Sequence, residues 1–206
     1  AVEFNHWLSL AAVCLLGGMS PGPSLAVVLN TALHGSRTAG LACAIAHGFG
    51  VGLYGLLTVT GLAVVITRSP QLFLTLQLAG AAYLAYLGLR SLRSSNNPLV
   101  EQEQRATPVS RPALDGFLVA FLNPKLAVFM LALFSQFLRP EADLLEKGIM
   151  AATVFIIDAA WYSLVVLLVT HHTFIDRLRG NAVLIDRIFG ALLIVLALTV
   201  VVRAVL

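Results

Sequence analysis

The chain has 206 residues, of which 59% are hydrophobic and only 11% are charged, whereas a soluble domain carries about 25% charged residues. The mean hydropathy of +0.91 excludes a water-exposed globule and indicates an integral membrane protein surrounded by the lipid bilayer. The formal net charge of +3 is too small and too dispersed to indicate a nucleic-acid partner.

Six apolar segments are long enough to cross a bilayer, which takes about 20 residues in a helix. The predicted transmembrane helices cover residues 7–33, 40–67, 69–89, 116–138, 148–170 and 183–206. The sixth is the least regular, because Arg187 and Arg203 leave it a short uncharged centre. Five spans are therefore the alternative to six.

The chain divides into two similar halves. We predict a first three-helix repeat over residues 1–92, a flexible cytoplasmic linker loop without a core of its own over 93–114, and a second repeat over 115–206. The segment PSLAVVL at 23–29 aligns with PKLAVFM at 124–130. Because three spans per half force opposite orientations, the prediction is an all-α membrane protein built from two inverted repeats, as in many secondary transporters.

Arginines predict the orientation of the chain. One side of the predicted bundle collects Arg37, Arg90, Arg93, Arg105, Arg111, Arg177, Arg179 and Arg187. Because basic residues concentrate in cytoplasmic loops, this side is expected to be cytoplasmic. Both termini are then expected on the external side.

Two of the predicted spans contain helix breakers. Proline removes a backbone donor and clashes with the preceding turn, and both SPGP at residues 20–23 and NPK at 123–125 are expected near the membrane middle. The alternative is a pair of kinks that only shape packing. Since broken helices expose amides that suit a carboxylate and carbonyls that suit an ammonium, we predict a substrate site formed by Ser20, Pro21, Gly22, Pro23, Ser24, Asn123, Pro124 and Lys125.

Two full charges, Lys125 and Asp158, fall within the first five predicted spans. A charge at that depth costs at least about 2.5–3.5 kcal/mol, so both are expected to face the protein interior. They form either a structural ion pair, or an exchangeable set in which Asp158 carries a proton and Lys125 meets a substrate carboxylate. Tyr162 lies one helical turn from Asp158 and is expected to line the same cavity.

His47 is a weaker candidate for proton coupling. Imidazole is the side chain that titrates near neutral pH, but a lone histidine beside glycines is more often a hydrogen-bonded packing residue. The nearby Gly48, Gly52 and Gly55 form a flat helix face for bundle packing or for dimerisation.

Several segments together resemble one known family. SPGP, LHGSRTAG at 33–40, LAGAAYLAYLGLR at 78–90, GFLVAFLNPKLAVF at 116–129 and the aspartate of the fifth span are similar to the LysE/RhtB family of bacterial amino-acid exporters. The resemblance implies proton-driven efflux of amino acids or their derivatives across the bacterial cytoplasmic (inner) membrane by a homodimer. The family's characteristic positions fall on Ser20, Pro21, Gly22, Pro23, Asn123, Pro124, Lys125 and Asp158.

Three functions are weighed. The leading one is a proton-coupled amino-acid exporter, with a neutral substrate favoured because the predicted site offers one charge of each sign. The alternative is a metal-ion or other small-solute exporter of the same superfamily, which for a metal requires clustered His, Cys or carboxylate ligands. An enzyme or redox relay requires a nucleophile–base set or paired cysteines, and Cys14 and Cys43 lack the spacing of a redox pair. We expect no catalytic group, metal or cofactor.

Overall fold

The computed structural model describes residues 4–105, 110–139, 142–169 and 171–205, and these residues form nine α-helices without a β-strand. The prediction of an all-α chain is confirmed for this part. The helices are α1 Phe4–Met19, α2 Pro23–His34, α3 Arg37–Arg68, α4 Pro70–Arg93, α5 Pro98–Arg105, α6 Pro112–Phe121, α7 Pro124–Phe137, α8 Leu144–Leu168 and α9 His172–Val205.

Four helices are long and apolar enough to cross a membrane: α3, α4, α8 and most of α9. Two further pairs are apolar enough only when taken together, and each bends sharply at its break. The angle is 61° between α1 and α2 and 55° between α6 and α7. The described residues therefore contain four candidate spans, or six if each bent pair is one span, and both predicted breaks are confirmed.

The local sequence explains each break. Pro23 and Pro124 stand in the first turn of α2 and α7, where the missing backbone N–H of proline would have no helical partner anyway. Asn123 is the N-cap of α7, and its side-chain oxygen accepts hydrogen bonds from the amides of Lys125, at 3.0 Å, and Leu126, at 3.3 Å. Gly22 takes the N-cap position of α2, which has no side-chain cap.

Glycines let α3 approach α8 closely. A Cβ atom added to Gly48 would lie 2.7 Å from the Cβ of Ala159, and one added to Gly52 would lie 2.8 Å from the Cβ of Phe155. Real Cβ atoms do not come this close, so only glycine fits at both positions. The predicted flat face exists, and it serves internal packing of the bundle.

Buried apolar side chains form two clusters. The larger one draws on α1, α3, α4, α6, α7, α8 and α9 and includes Leu84, Leu133 and Phe134. The smaller one joins α2, α3, α5, α8 and α9 and includes Leu29 and Tyr162. The candidate functional site borders on both clusters.

Part of the predicted linker is folded. Leu99 of α5 is fully buried in the smaller cluster, and Glu103 pairs with Arg179 of α9 at 3.2 Å. The expectation of a loop without a core is therefore wrong for Pro98–Arg105. Leu99 could not predict this docked helix from sequence, because the residues around it are mostly polar. Residues 106–109 of the predicted linker lie outside the described part.

Candidate functional site

A cavity lies where the two helix breaks meet. Its volume is about 70 Å³. Its wall is formed by Cys14, Gly17, Gly18, Ser20, Gly22, Pro23, Ser24, His47, Val51, Asn123, Lys125, Leu126, Phe129, Met130, Val154, Asp158, Tyr162 and Phe189. The structure thus brings together every predicted site residue except Pro21 and Pro124, which are absent from this wall.

Lys125 links the two breaks. It is the second residue of α7, and its Nζ donates a hydrogen bond of 2.9 Å to Oγ of Ser20, between α1 and α2. The same Nζ lies 4.8 Å from the ring centroid of Phe189 in α9, within the range of a cation–π contact. An ammonium has three donors, so Ser20 leaves donor capacity for a ligand in the cavity.

Asp158 pairs with His47 rather than with Lys125. Nδ1 of His47 and Oδ2 of Asp158 lie 2.6 Å apart across α3 and α8, and the two residues are only 2% and 9% exposed. Lys125 takes part in none of the ion pairs among the described residues. The alternative of a structural Lys125–Asp158 pair is therefore wrong in this structure.

His47 has one ring nitrogen in use and one without a partner. Its Nε2 is buried and makes no hydrogen bond, while the edge-on ring of Tyr162 lies 4.9 Å away, centroid to centroid. A buried, unpaired nitrogen on a cavity wall costs free energy unless a ligand or water satisfies it, so Nε2 is a candidate contact for a bound molecule.

The two helix N-termini at the cavity differ. Asn123 caps the amides of α7 with its own side chain, whereas α2 has no side-chain cap. Gly22, Pro23 and Ser24 at the start of α2 all line the cavity. The positive end of the α2 dipole is therefore the one left open to a carboxylate.

Sequence reasoning missed most of the apolar wall, including Phe129, Met130 and Phe189. Nothing in the sequence distinguishes these apolar residues of α7 and α9 from core or lipid-facing residues of the same helices. It also missed Asp186 in α9, a buried carboxylate that is 6% exposed. An acidic residue inside a predicted span was the available signal.

Metal and thiol chemistry find no support in the described part of the chain. No group of three or more His, Cys, Asp or Glu side chains there could hold a metal ion. Cys14 and Cys43 are both buried and free.

Comparison with known proteins identifies the family. A model of the LysE type translocator matches residues 15–204. The chain belongs to the LysE type translocators. The resemblance seen in the sequence motifs is thereby confirmed, together with the expectation of a membrane transport protein with transmembrane helices.

Several relatives of this LysE type translocator are named for efflux. The homoserine/homoserine lactone efflux protein of Salmonella typhi is 31% identical over 76% of this chain and 77% of its own length. The threonine efflux protein of Escherichia coli K12 is 25% identical over 77% and 79%. An uncharacterized membrane protein of Haemophilus influenzae is 28% identical over 84% and 85%. No solved structure matches this LysE type translocator with significance.

Proposed function

We propose that this protein is a secondary active exporter of small neutral amino acids across the bacterial cytoplasmic membrane. The observation that carries the proposal is the cavity between the helix breaks, with the Lys125 ammonium on its wall and the His47–Asp158 pair as a separate polar group. These opposite charges complement the carboxylate and the ammonium of a zwitterion. The relatives named for homoserine and threonine efflux support a substrate of this size and charge.

The carboxylate of the substrate binds at the α2 end of the cavity. Lys125 Nζ supplies a charged donor beside Ser20, and the uncapped first turn of α2 supplies the positive end of a helix dipole. Asn123 acts indirectly, because its side-chain oxygen caps α7 and so fixes the backbone that carries Lys125.

The ammonium of the substrate binds at the His47–Asp158 pair. With Asp158 ionised, Nδ1–H of His47 donates to the carboxylate, and the lone pair of the unpartnered Nε2 accepts from the ammonium. A proton arriving from outside converts Nε2 from an acceptor to a donor and weakens the hold on the ammonium. Proton entry is in this way coupled to substrate release. The proton is bound by His47 and Asp158 as a coupled pair, not by one of them alone.

Alternating access follows from two inverted repeats. The two bends are similar, 61° and 55°, and α3 packs along α8 and α4 along α9, so each of these helices contacts its counterpart in the other half. A Cβ on Gly88 would meet the carbonyl oxygen of Gly190, and one on Gly190 would meet that of Gly88. This reciprocity supports a two-fold relation between the halves.

The cytoplasmic side is the end that carries α5. The contacts of Glu103 and Asn97 with Arg179 bring the segment between α4 and α6 to the same end as the start of α9. Both carry the arginines that predict a cytoplasmic location.

The proposal is tested with purified protein in liposomes loaded with labelled homoserine or threonine. We expect efflux that accelerates under an inward proton gradient in the unaltered protein. Asp158→Asn and His47→Gln should abolish this acceleration, while Asp176→Asn, an exposed carboxylate of α9, should keep it. Absence of efflux would refute the exporter, and gradient-driven efflux in Asp158→Asn would refute the coupling role.

A further inference from the structure

Asp186 is a buried carboxylate that the proposed transport mechanism does not use. It is 6% exposed in the apolar helix α9, and Oγ of Ser91 in α4 donates a hydrogen bond of 3.2 Å to its Oδ1. None of the ion pairs among the described residues includes it. A carboxylate in such a place is costly without a nearby positive charge, so its presence points to a partner.

The geometry ties Asp186 to Lys125. Phe189 follows Asp186 by three residues, so the two side chains share a face of α9, and the Phe189 ring lies 4.8 Å from Lys125 Nζ. Asp186 interacts electrostatically with Lys125 and with Arg90 of α4, and it forms a direct ion pair with neither of them. The ammonium is therefore hydrogen-bonded to one acceptor, the Ser20 hydroxyl, and lies beyond ion-pair distance of the Asp186 carboxylate.

After releasing its substrate outside, the transporter must reorient toward the inside, and during this return step Lys125 needs a counter-charge. In the loaded state, the substrate carboxylate neutralises the ammonium. In the empty state that carboxylate is gone, and an unpaired ammonium in a dry interior would oppose the return step. A lysine has a flexible four-carbon stem, which allows its Nζ to move along the Phe189 ring.

We propose that Asp186 is the positioning residue that pairs with Lys125 when the cavity is empty. The ammonium leaves Ser20, passes the Phe189 ring and binds the Asp186 carboxylate, and the neutral pair permits the substrate-free carrier, with its proton on the His47–Asp158 pair, to reorient. A substrate carboxylate competes with Asp186 for the same ammonium. This inference rests on the proposed exporter function. It adds an explanation of how the substrate-free transporter reorients toward the inside.

The test separates net efflux from exchange in the same liposomes. Exchange of labelled internal substrate for unlabelled external substrate needs only loaded carriers, whereas net efflux needs the empty return. We expect Asp186→Asn to lower net efflux at least about tenfold while exchange stays near that of the unaltered protein and its KM falls. Asp186→Glu should restore most of the net efflux, and the exposed Asp176→Asn should change neither rate.

Ser91→Ala provides a second test, in which the Asp186 carboxylate is retained. It frees the oxygen that Ser91 now occupies, so Asp186 should hold Lys125 more tightly and the KM of exchange should rise about threefold, a change in free energy below that of one neutral hydrogen bond. A purely structural role is shown if net efflux and exchange fall together in Asp186→Asn, or if Ser91→Ala leaves KM unchanged. Either result overturns the inference, whereas lack of both activities in the unaltered protein refutes the exporter itself.

Discussion

At the scale of single residues, the cavity depends on contacts between positions far apart in the chain. His47 and Asp158 are 111 residues apart, and Lys125 and Ser20 are 105 apart. Composition and spacing were enough to single out each of these residues, because charges and helix breakers are rare in apolar segments. They could not predict the pairing, which depends on how α3, α7 and α8 pack. For this reason, the sequence left a structural Lys125–Asp158 pair open as an alternative and did not predict the hydrogen bond between His47 and Asp158.

Removing the hydroxyl of Ser20 should weaken the carboxylate end of the cavity. Ser20→Ala deletes the oxygen that accepts a hydrogen bond from Lys125 Nζ, and hydrogen bonds to charged groups contribute about 1.5–3 kcal/mol. We expect KM for efflux to rise about tenfold with little change in the folded fraction. Ser9→Ala, which removes an exposed hydroxyl bonded within α1, is the matched control. Equal KM values in the two variants would contradict the assigned role of Ser20.

At the scale of the helices, much of the arrangement follows from local chemistry. Prolines in the first turns of α2 and α7 and the cap of Asn123 set the breaks, and both breaks could be predicted from sequence. The role of the α3 glycines could not be predicted from sequence, because packing within a bundle and dimerisation require the same small residues. The structure assigns Gly48 and Gly52 to the contact with α8, beside the His47–Asp158 pair.

Gly48 is expected to be intolerant of a methyl group. Gly48→Ala would place a Cβ 2.7 Å from that of Ala159, and overpacking of this kind costs about 1–3 kcal/mol. We expect a lower melting temperature in detergent. Gly61→Ala on the same helix meets nothing within 4 Å and should be neutral or stabilising, since alanine favours helix by about 1 kcal/mol. A Gly48→Ala variant as stable as Gly61→Ala would contradict the close approach of α3 and α8.

Asn123, the N-cap of α7, should be replaceable only by a residue whose side chain can also cap the helix. Asn123→Ala removes the oxygen that accepts from the amides of Lys125 and Leu126, and loss of such a cap costs about 0.5–2 kcal/mol. Thermal unfolding should detect this loss, and substrate KM should rise because Lys125 is less well positioned. Asn123→Ser retains a capping oxygen and should recover most of the stability. If serine is no better than alanine, the side chain stabilises α7 by some other contact.

At the scale of the whole molecule, the membrane class and the family could be predicted from composition and motifs. The linker between the halves could not be predicted fully, because α5 has few apolar residues and depends on its contacts with α2 and α9. The inverted repeats, the orientation of the termini and the homodimer remain predictions. These predictions concern how the two halves are related, on which side of the membrane the termini lie, and how two copies of the chain associate. A short sequence match determines none of these.

Leu99 should contribute to the stability of the entire bundle although it lies between the two halves. Leu99→Ala removes a fully buried side chain of α5, which packs against α2 and α9, and such truncations cost about 2–5 kcal/mol. We expect a clearly lowered melting temperature and faster proteolysis near α5. Leu114→Ala, at a position that is 43% exposed, should change both quantities much less. Equal effects would indicate that α5 is not docked in solution.

The proposed transport function requires the cavity at the helix breaks to bind an amino acid through Lys125. The most direct test compares efflux of homoserine with efflux of its lactone, which lacks a free carboxylate, in the unaltered protein and in Lys125→Gln. Lys147→Gln, at the start of α8, serves as the control for loss of a lysine. We expect Lys125→Gln to lower homoserine efflux about tenfold or more, because a charged hydrogen bond is lost, and to leave lactone efflux nearly unchanged. An equal loss for both substrates, or no loss for homoserine, would contradict it.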